Sequence, residues 1–338
     1  MEQDKGSEIM SERYTPPYTS TDKIVSLVSE ISELVGALGA WDNMNSNPQL
    51  RRDNRVKTIH ASLAIENNSL SLDQVTAIIN GKRILGAPGE IQEVKNAYEA
   101  YEQLLTYNPS SAQDLLKAHR ILMNGLVKEA GNFRSGAVGI FAGDRLVHMA
   151  PPANLVSRQI ADLLAWVESD AAHPLVKSCV FHYEFEFIHP FADGNGRMGR
   201  MWQTLILSRW KSIFAWLPVE TLIRERQDEY YAVLGKSDSI ANATPFVEFL
   251  LGALRDALRE IASTAQVTAQ VSEQVKAVLT ALGSDTLSSN ELMARVGLSH
   301  RGTFRKNYLQ PALDLGIVEM TVPEKPNSRN QKYRAKKQ

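Results

Sequence analysis

Apolar residues recur at helical spacing along almost all of this chain, and that recurrence limits the fold more than any other feature. Ile24, Leu27, Val28, Ile31, Leu34, Val35 and Leu38 define a helix from about Asp22 to Leu38. The same period runs through NRVKTIHASLAI, LDQVTAIIN, IQEVKNAYEAYEQLL, AQDLLKAHRILMNGL, NLVSRQIADLLAWVES, PLVKSCVFHYEFEFI, GRMGRMWQTLILSRW and TPFVEFLLGALRDALREIA. The expected fold is mainly α, a bundle larger than four helices. One central segment, GAVGIFAGDRLVHMAPP, reads instead as a β-hairpin over about 138–149, turning at Gly143-Asp144 with type II′ geometry and closed by Pro151-Pro152.

After about residue 270 the pattern changes. SEQVKAVLTALG, SSNELMARVGLS and HRGTFRKNYLQPALDLG read as three helices, and IVEMTVPEKPNSRNQKYR as two strands around a turn, the order of a winged helix-turn-helix. From Arg295 onward ten Lys/Arg stand against three acids, so this segment carries a local basic patch although the chain's net charge is −1. Arg301, Arg305 and Lys306 on the expected recognition helix, with Arg329, Lys332 and Arg334 on the wing, are the candidate DNA contacts.

At 338 residues and 43% hydrophobic content the chain can bury more than one core. Its organisation reads as an N-terminal helical region (1–54), a core (55–265) and the winged module (271–335). No window approaches the ~18 apolar residues of a membrane span, and MEQDKGSEIMSERYTPPYTS lacks the apolar stretch of a signal peptide. The single Cys179 excludes an internal disulfide and a cysteine-built zinc site. These features predict a cytoplasmic protein without membrane contact; a homodimer is among the assemblies they allow.

Most of the polar chemistry is concentrated in FIHPFADGNGRMGR, residues 187–200. Gly194, Asn195 and Gly196 precede a helix beginning near Arg197, and a helix start offers unpaired N–H groups and partial positive charge. The glycines let backbone approach a phosphate closely. Arg197 and Arg200 lie three apart and both lean toward that helix start, Asp193 is a hard oxygen ligand suited to Mg²⁺, and His189 can take a proton from an attacking hydroxyl. Taken singly, Gly-Asn-Gly is a turn and two arginines are a solvated face; together, in this order, they describe an anion site.

Residues 189–200, HPFADGNGRMGR, fit the H-x-F-x-[DE]-G-N-G-R-x-x-R signature of the Fic family, which the chain therefore resembles. The resemblance implies a helical Fic core that transfers AMP from ATP to a Ser, Thr or Tyr hydroxyl of a target protein, itself included. It makes His189 the general base, Asp193 the Mg²⁺ ligand and Asn195 a phosphate contact. Gly194 and Gly196 would shape the cradle, Arg197 and Arg200 would hold the outer phosphates, and Phe191 would anchor the loop. A phosphate-transferring branch often carries Lys where Gly196 stands, so this sequence resembles the nucleotidyl-transferring branch.

A second stretch, TIHASLAIENNSLSLDQV, places Ser62 and Glu66 on one helix face, Asn67 and Asn68 at its left-handed end, and Ser71 with Gln74 as the capping box of the next helix. Ser62, Glu66 and Asn67 also match the family's inhibitory motif [ST]-x-x-x-E-[GN], on a helix of about 55–67. The resemblance implies that Glu66 pairs with Arg200 and blocks the γ-phosphate. It further makes the hairpin a flap that aligns the target through Ile140 and Phe141, and DEYYAVLGKSD the border of the adenine pocket, with Tyr230 or Tyr231 facing the base. Two rival readings share these residues: a DNA-binding regulator whose Fic core senses nucleotide, or removal of AMP by the same site. The winged module could equally hold a protein partner.

Overall fold

The structure, a computed structural model, describes residues 14–39, 48–142, 145–283, 285–326 and 328–336; for 39, 140–142, 145–148 and 263–272 it describes the backbone alone. The chain divides after Arg259 into two compact units.

The first unit is helical. α1 (Asp22–Gly39), α2 (Pro48–Ile65), α3 (Leu72–Ile79), α4 (Pro88–Glu102) and α5 (Ala112–Leu122) precede the hairpin β1 (Gly139–Ala142) and β2 (Arg145–Met149). α6 (Ala153–Ser169), α7 (Pro174–Ile188), α8 (Asn195–Trp210), α9 (Val219–Glu225), α10 (Gln227–Ser239) and α11 (Thr244–Leu282) follow. At the centre lie α7 and α8, packed along one another and joined by the loop 189–194. Both are buried nearly all round, as their mixed composition requires: α7 sinks Phe181 and Phe185 on one side and His182 and Glu186 on another. Trp202 on α8 is fully buried and donates its indole N–H to Pro109 O at 2.9 Å.

α7 stops where its sequence demands. Pro190 disfavours right-handed helical geometry at the residue before it, and His189 leaves the helix in the left-handed region, φ 48°. The expected capping box is present: Ser71 Oγ accepts from Gln74 N, and the Gln74 side chain accepts from Ser71 N. The hairpin strands pair antiparallel, Gly139 opposite Met149 and Ile140 opposite His148, with a bulge between Ile140 and Phe141. The expected Gly143-Asp144 turn lies outside the described residues.

In the second unit the end of α11 is followed by β3 (Leu287–Ser288), α12 (Ser289–Arg295), α13 (Arg301–Phe304), α14 (Gln310–Asp314), β4 (Val318–Met320) and β5 (Lys332–Ala335). Two features differ from the sequence expectation. The helix expected from SEQVKAVLTALG is the end of the 39-residue α11, because nothing in that stretch breaks the helix. The sheet has three strands, ordered β3-β5-β4, since two residues ahead of α12 also pair. Between α13 and α14 the turn widens to π geometry over Arg305–Leu309, with Gln310 N–H reaching back to Arg305 O. Pro311 supplies the reason: its ring would strike the carbonyl four residues earlier in a regular helix. Val278, Leu282, Leu292, Phe304, Leu309, Val318 and Tyr333 form this unit's core.

Candidate active site

The loop after α7 is held from three directions. Arg134, 3% exposed, donates Nε to His189 O (2.7 Å), Nη2 to Ile188 O (3.2 Å) and Pro151 O, and Nη1 to Gly136 O (2.9 Å); its own N–H meets Pro190 O at 2.9 Å. A guanidinium ringed by carbonyls at a helix C-terminus satisfies orphan acceptors and the negative end of the helix dipole together. Phe191 is fully buried and stacks on the His119 ring at 3.6 Å. His119 Nδ1 accepts from Gly131 N (2.9 Å), so Nε2 carries the proton and donates to Asp193 O (3.0 Å). Burial, together with the nearby Arg197 charge, pushes this imidazole down to about 4. Asn195 closes the loop: Oδ1 accepts from Phe191 N and Nδ2 donates to Phe191 O, each at 2.9 Å.

Gly194 starts α8 with φ 84°, and a Cβ there would collide with the Met123 side chain, so both conformation and space call for glycine. Met198 N–H is the first to bond back, to Gly194 O at 3.0 Å, so the amides of Asn195, Gly196 and Arg197 precede the intrahelical ladder. A helix start of this kind can receive an anion.

Both signature arginines are buried and both are held by acids. Arg200, 2% exposed, donates Nη2 to Glu66 Oε1 (2.7 Å) and Ser62 O (3.0 Å), and Nε to Ser62 Oγ (3.1 Å). Burial alone would lower its affinity for a proton, but the Glu66 carboxylate beside it outweighs that and holds it above the usual arginine range. Arg197 donates Nη1 to Glu93 Oε1 (2.9 Å) and Nη2 to Asp193 Oδ1 (3.1 Å). Glu66 is the last residue but one of the α2 corner, which Asn67 turns at φ 65°. Behind Arg200, the fully buried Glu220 is pushed up to about 7 by burial.

His189 is half-buried, its Nδ1 3.4 Å from Glu186 O. Because a carbonyl only accepts, the neutral ring keeps its proton on Nδ1, which places the lone pair on Nε2. Among the described residues no group of three or more His, Cys, Asp or Glu is placed to hold a metal. Asp193 nonetheless fits a shared ion: its side chain is 59% exposed and Oδ1 alone is engaged, so a divalent cation would add phosphate and water oxygens.

The remaining expected residues have mixed placements. The side-chain amide of Asn195 pairs with the Phe191 backbone through both Oδ1 and Nδ2, so its role in the loop is to hold it closed. Tyr230 does not face a ligand: it is buried against Phe246 and Phe249, its hydroxyl 3.2 Å from His182 Nε2, whereas Tyr231 is 46% exposed. Ile140 and Phe141 lie on β1, where only the backbone is described. His182 is a packing residue, its Nδ1 2.7 Å from Gln203 Oε1. In the second unit Arg301, Arg305, Lys306, Arg329 and Lys332 are exposed, while Arg334 is also exposed but pairs with Glu319 at 2.6 Å. Arg134, His119 and Glu93 were not singled out from the sequence; Glu93 and His119 fall within IQEVKNAYEAYEQLL and AQDLLKAHRILMNGL, stretches read only for their helical period.

Comparison with known proteins sets the chain among Fic proteins. A profile described as "Fic/DOC family" matches residues 109–207, and one described as "Filamentation induced by cAMP protein Fic-like, C-terminal domain" matches 273–335. A crystal structure of a Fic family protein from Desulfovibrio desulfuricans superimposes with TM-score 0.75 at 59% identity, covering 96% of this chain and 99% of that one. Protein adenylyltransferase fic-1 of Caenorhabditis briggsae is 26% identical over 256 residues, 72% of this chain and 48% of that protein. Protein adenylyltransferase Fic of Nematostella vectensis is 29% identical over 205 residues, 57% and 45% respectively. The chain thus spans about half the length of the curated relatives it matches.

Proposed function

The chain belongs to the Fic family, and from that premise we propose that it is a protein adenylyltransferase that moves AMP from ATP to a hydroxyl side chain of a target protein and restrains itself through Glu66. The observation that carries this reading is the 2.7 Å pair between Glu66 and the buried Arg200, because the Nη2 that Glu66 and Ser62 hold is withheld from a phosphate while the pair lasts.

In the proposed reaction His189 Nε2 takes the proton of the target hydroxyl as its oxygen attacks the α-phosphorus. The new O–P bond replaces the bond to the β-phosphate oxygen, and pyrophosphate leaves. The amides of Asn195, Gly196 and Arg197 meet the phosphate oxygens, with Arg197 and Arg200 compensating charge on the departing pyrophosphate. Asp193 would hold Mg²⁺, whose charge neutralises the phosphates. Arg134 fixes the His189 carbonyl and hence the imidazole's approach. The β1 edge suits a target segment added as a strand, through Ile140 and Phe141, and the exposed Tyr231 is the ring available to the adenine. Incubation with labelled ATP and Mg²⁺ tests the reading: label should enter protein with Glu66→Gly, less with the unaltered chain and not with His189→Ala. Equal labelling by all three would refute it.

The exposed Arg301, Arg305 and Lys306 on one helical stretch favour a second reading for the second unit, a phosphate-contacting surface for DNA. A gel shift whose affinity falls steeply with salt supports it; retention of that slope in Arg301→Ala/Arg305→Ala counts against it.

A further inference from the structure

Arg197 is 5% exposed, yet its three nitrogens are treated unequally. Nη1 is paired with Glu93, Nη2 with Asp193, and Nε is buried without a hydrogen-bond partner. The two carboxylates differ in kind. Asp193 stands on the loop with most of its side chain in solvent, at 59% exposure, and is free to turn toward any ligand arriving there. Glu93 projects from the middle of α4, is 21% exposed, and has its second oxygen fixed by Asn68 Nδ2 at 2.8 Å. Asn68 is itself immobilised: it is 7% exposed, its Nδ2 also reaches Glu90 O, and its Oδ1 accepts from Leu70 N at 3.1 Å.

Asn68 is two residues beyond Glu66, and the corner between them is locked by Glu66 N–H and Asn68 N–H both bonding to Leu63 O. One short segment therefore reaches both arginines of the first turns of α8. Glu66 holds Arg200 directly, and Asn68 holds Arg197 through Glu93.

We propose that Glu93 is a positioning residue for Arg197, keeping its guanidinium aimed at the anion mouth when Asp193 turns away, and that Asn68 couples this hold to the corner carrying Glu66. This inference rests on the adenylyltransferase reading. Its physical core is that a buried guanidinium deprived of its rigid counter-ion has neither a fixed direction nor full charge compensation.

Binding of a fluorescent ATP analogue to the full chain, with and without Mg²⁺, tests it in the Glu66→Gly background. Glu93→Gln should weaken binding by on the order of tenfold, the worth of one charge-assisted hydrogen bond, and raise KM for ATP in step while kcat changes little. Glu93→Gln added to Arg197→Ala should cost less than twofold more, because both act through one group. Asn68→Ala should weaken binding by a smaller factor in the same direction. Thermal midpoints identify any variant that fails to fold, and Glu93→Asp then replaces it, with the same loss expected because the shorter chain cannot span both partners. Unchanged or tighter binding by a folded Glu93 variant overturns the inference and leaves the functional reading standing. Absence of analogue binding to Glu66→Gly itself overturns both.

Discussion

Glu66 Oε1 occupies the space that a Cβ on Gly196 would fill. Glycine at 196 thus lets the Glu66 carboxylate come down onto α8. The next obstacle to such a Cβ is Arg200 Nη1 at 3.0 Å, so a methyl group there dislodges the carboxylate from the guanidinium.

Gly196→Ala should consequently have opposite effects in two backgrounds. In the unaltered chain it raises ATP affinity severalfold by displacing Glu66; combined with Glu66→Gly it lowers affinity, since only the narrowed mouth remains. Calorimetric titration of the four proteins reads the sign directly, and the same sign in both backgrounds would rule out a steric link.

Glu66→Gly should lower stability while raising transfer. Among the described residues Arg200 then keeps Ser62 alone as a hydrogen-bonding partner, and an undercompensated buried charge costs on the order of 3 kcal/mol. ATP with Mg²⁺ should restore the loss, raising Tm more in the variant than in the unaltered chain, because ligand bound to the native state stabilises it in proportion to affinity. Differential scanning fluorimetry at several ATP concentrations measures both effects; transfer should rise at least tenfold.

Two buried groups should cancel in the pH profile. His119 is depressed from 6.5 to about 4, so between those values the unfolded chain binds the extra proton and stability rises with pH. Glu220 is raised from 4.5 to about 7, so across that window the native state binds the extra proton and stability falls with pH. Between about 4.5 and 6.5 the opposing slopes, each up to about 1.4 kcal/mol per pH unit, offset one another. Glu220→Gln should leave a rising profile and His119→Gln a falling one. All five tryptophans precede residue 217, so urea unfolding followed by tryptophan fluorescence reports the first unit.

Arg134→Lys should not substitute for arginine. An ammonium cannot reach the carbonyls of Gly136, Pro151, Ile188 and His189 at once, and the loss of directed hydrogen bonds costs about 2–4 kcal/mol. Because the arginine sets the seat of His189 without touching phosphate, kcat should fall about a hundredfold with little change in KM for ATP. A proportionate rise in KM would place its effect on nucleotide binding.

The parts of the site legible in the sequence were those whose chemistry is local. His189, Asp193, Gly194 and the two arginines fall within twelve positions, so their spacing alone suggests a phosphate held opposite a base. The partner of Arg200 lies 134 positions away and was reached only through family resemblance. Glu93, His119 and Arg134 stayed hidden for a physical reason: Arg134 binds backbone carbonyls and His119 binds a backbone amide and carbonyl, which every residue possesses, and Glu93 meets Arg197 across 104 positions. The family resemblance set Tyr230 and Tyr231 at the adenine border but not which of them turns inward; Phe246 and Phe249 decide that. β3 is two residues long, too short for alternation to show.

Cys179, the only cysteine, is fully buried, its thiol pushed up to about 12 by burial and lodged beside Gln203. Reagents that seek a thiolate will therefore pass the native chain by. A cysteine introduced at an exposed site, such as Met149 at the end of the hairpin or Tyr231, becomes the sole address for a dye or spin label, and the fold comes ready for single-site spectroscopy without prior removal of any residue.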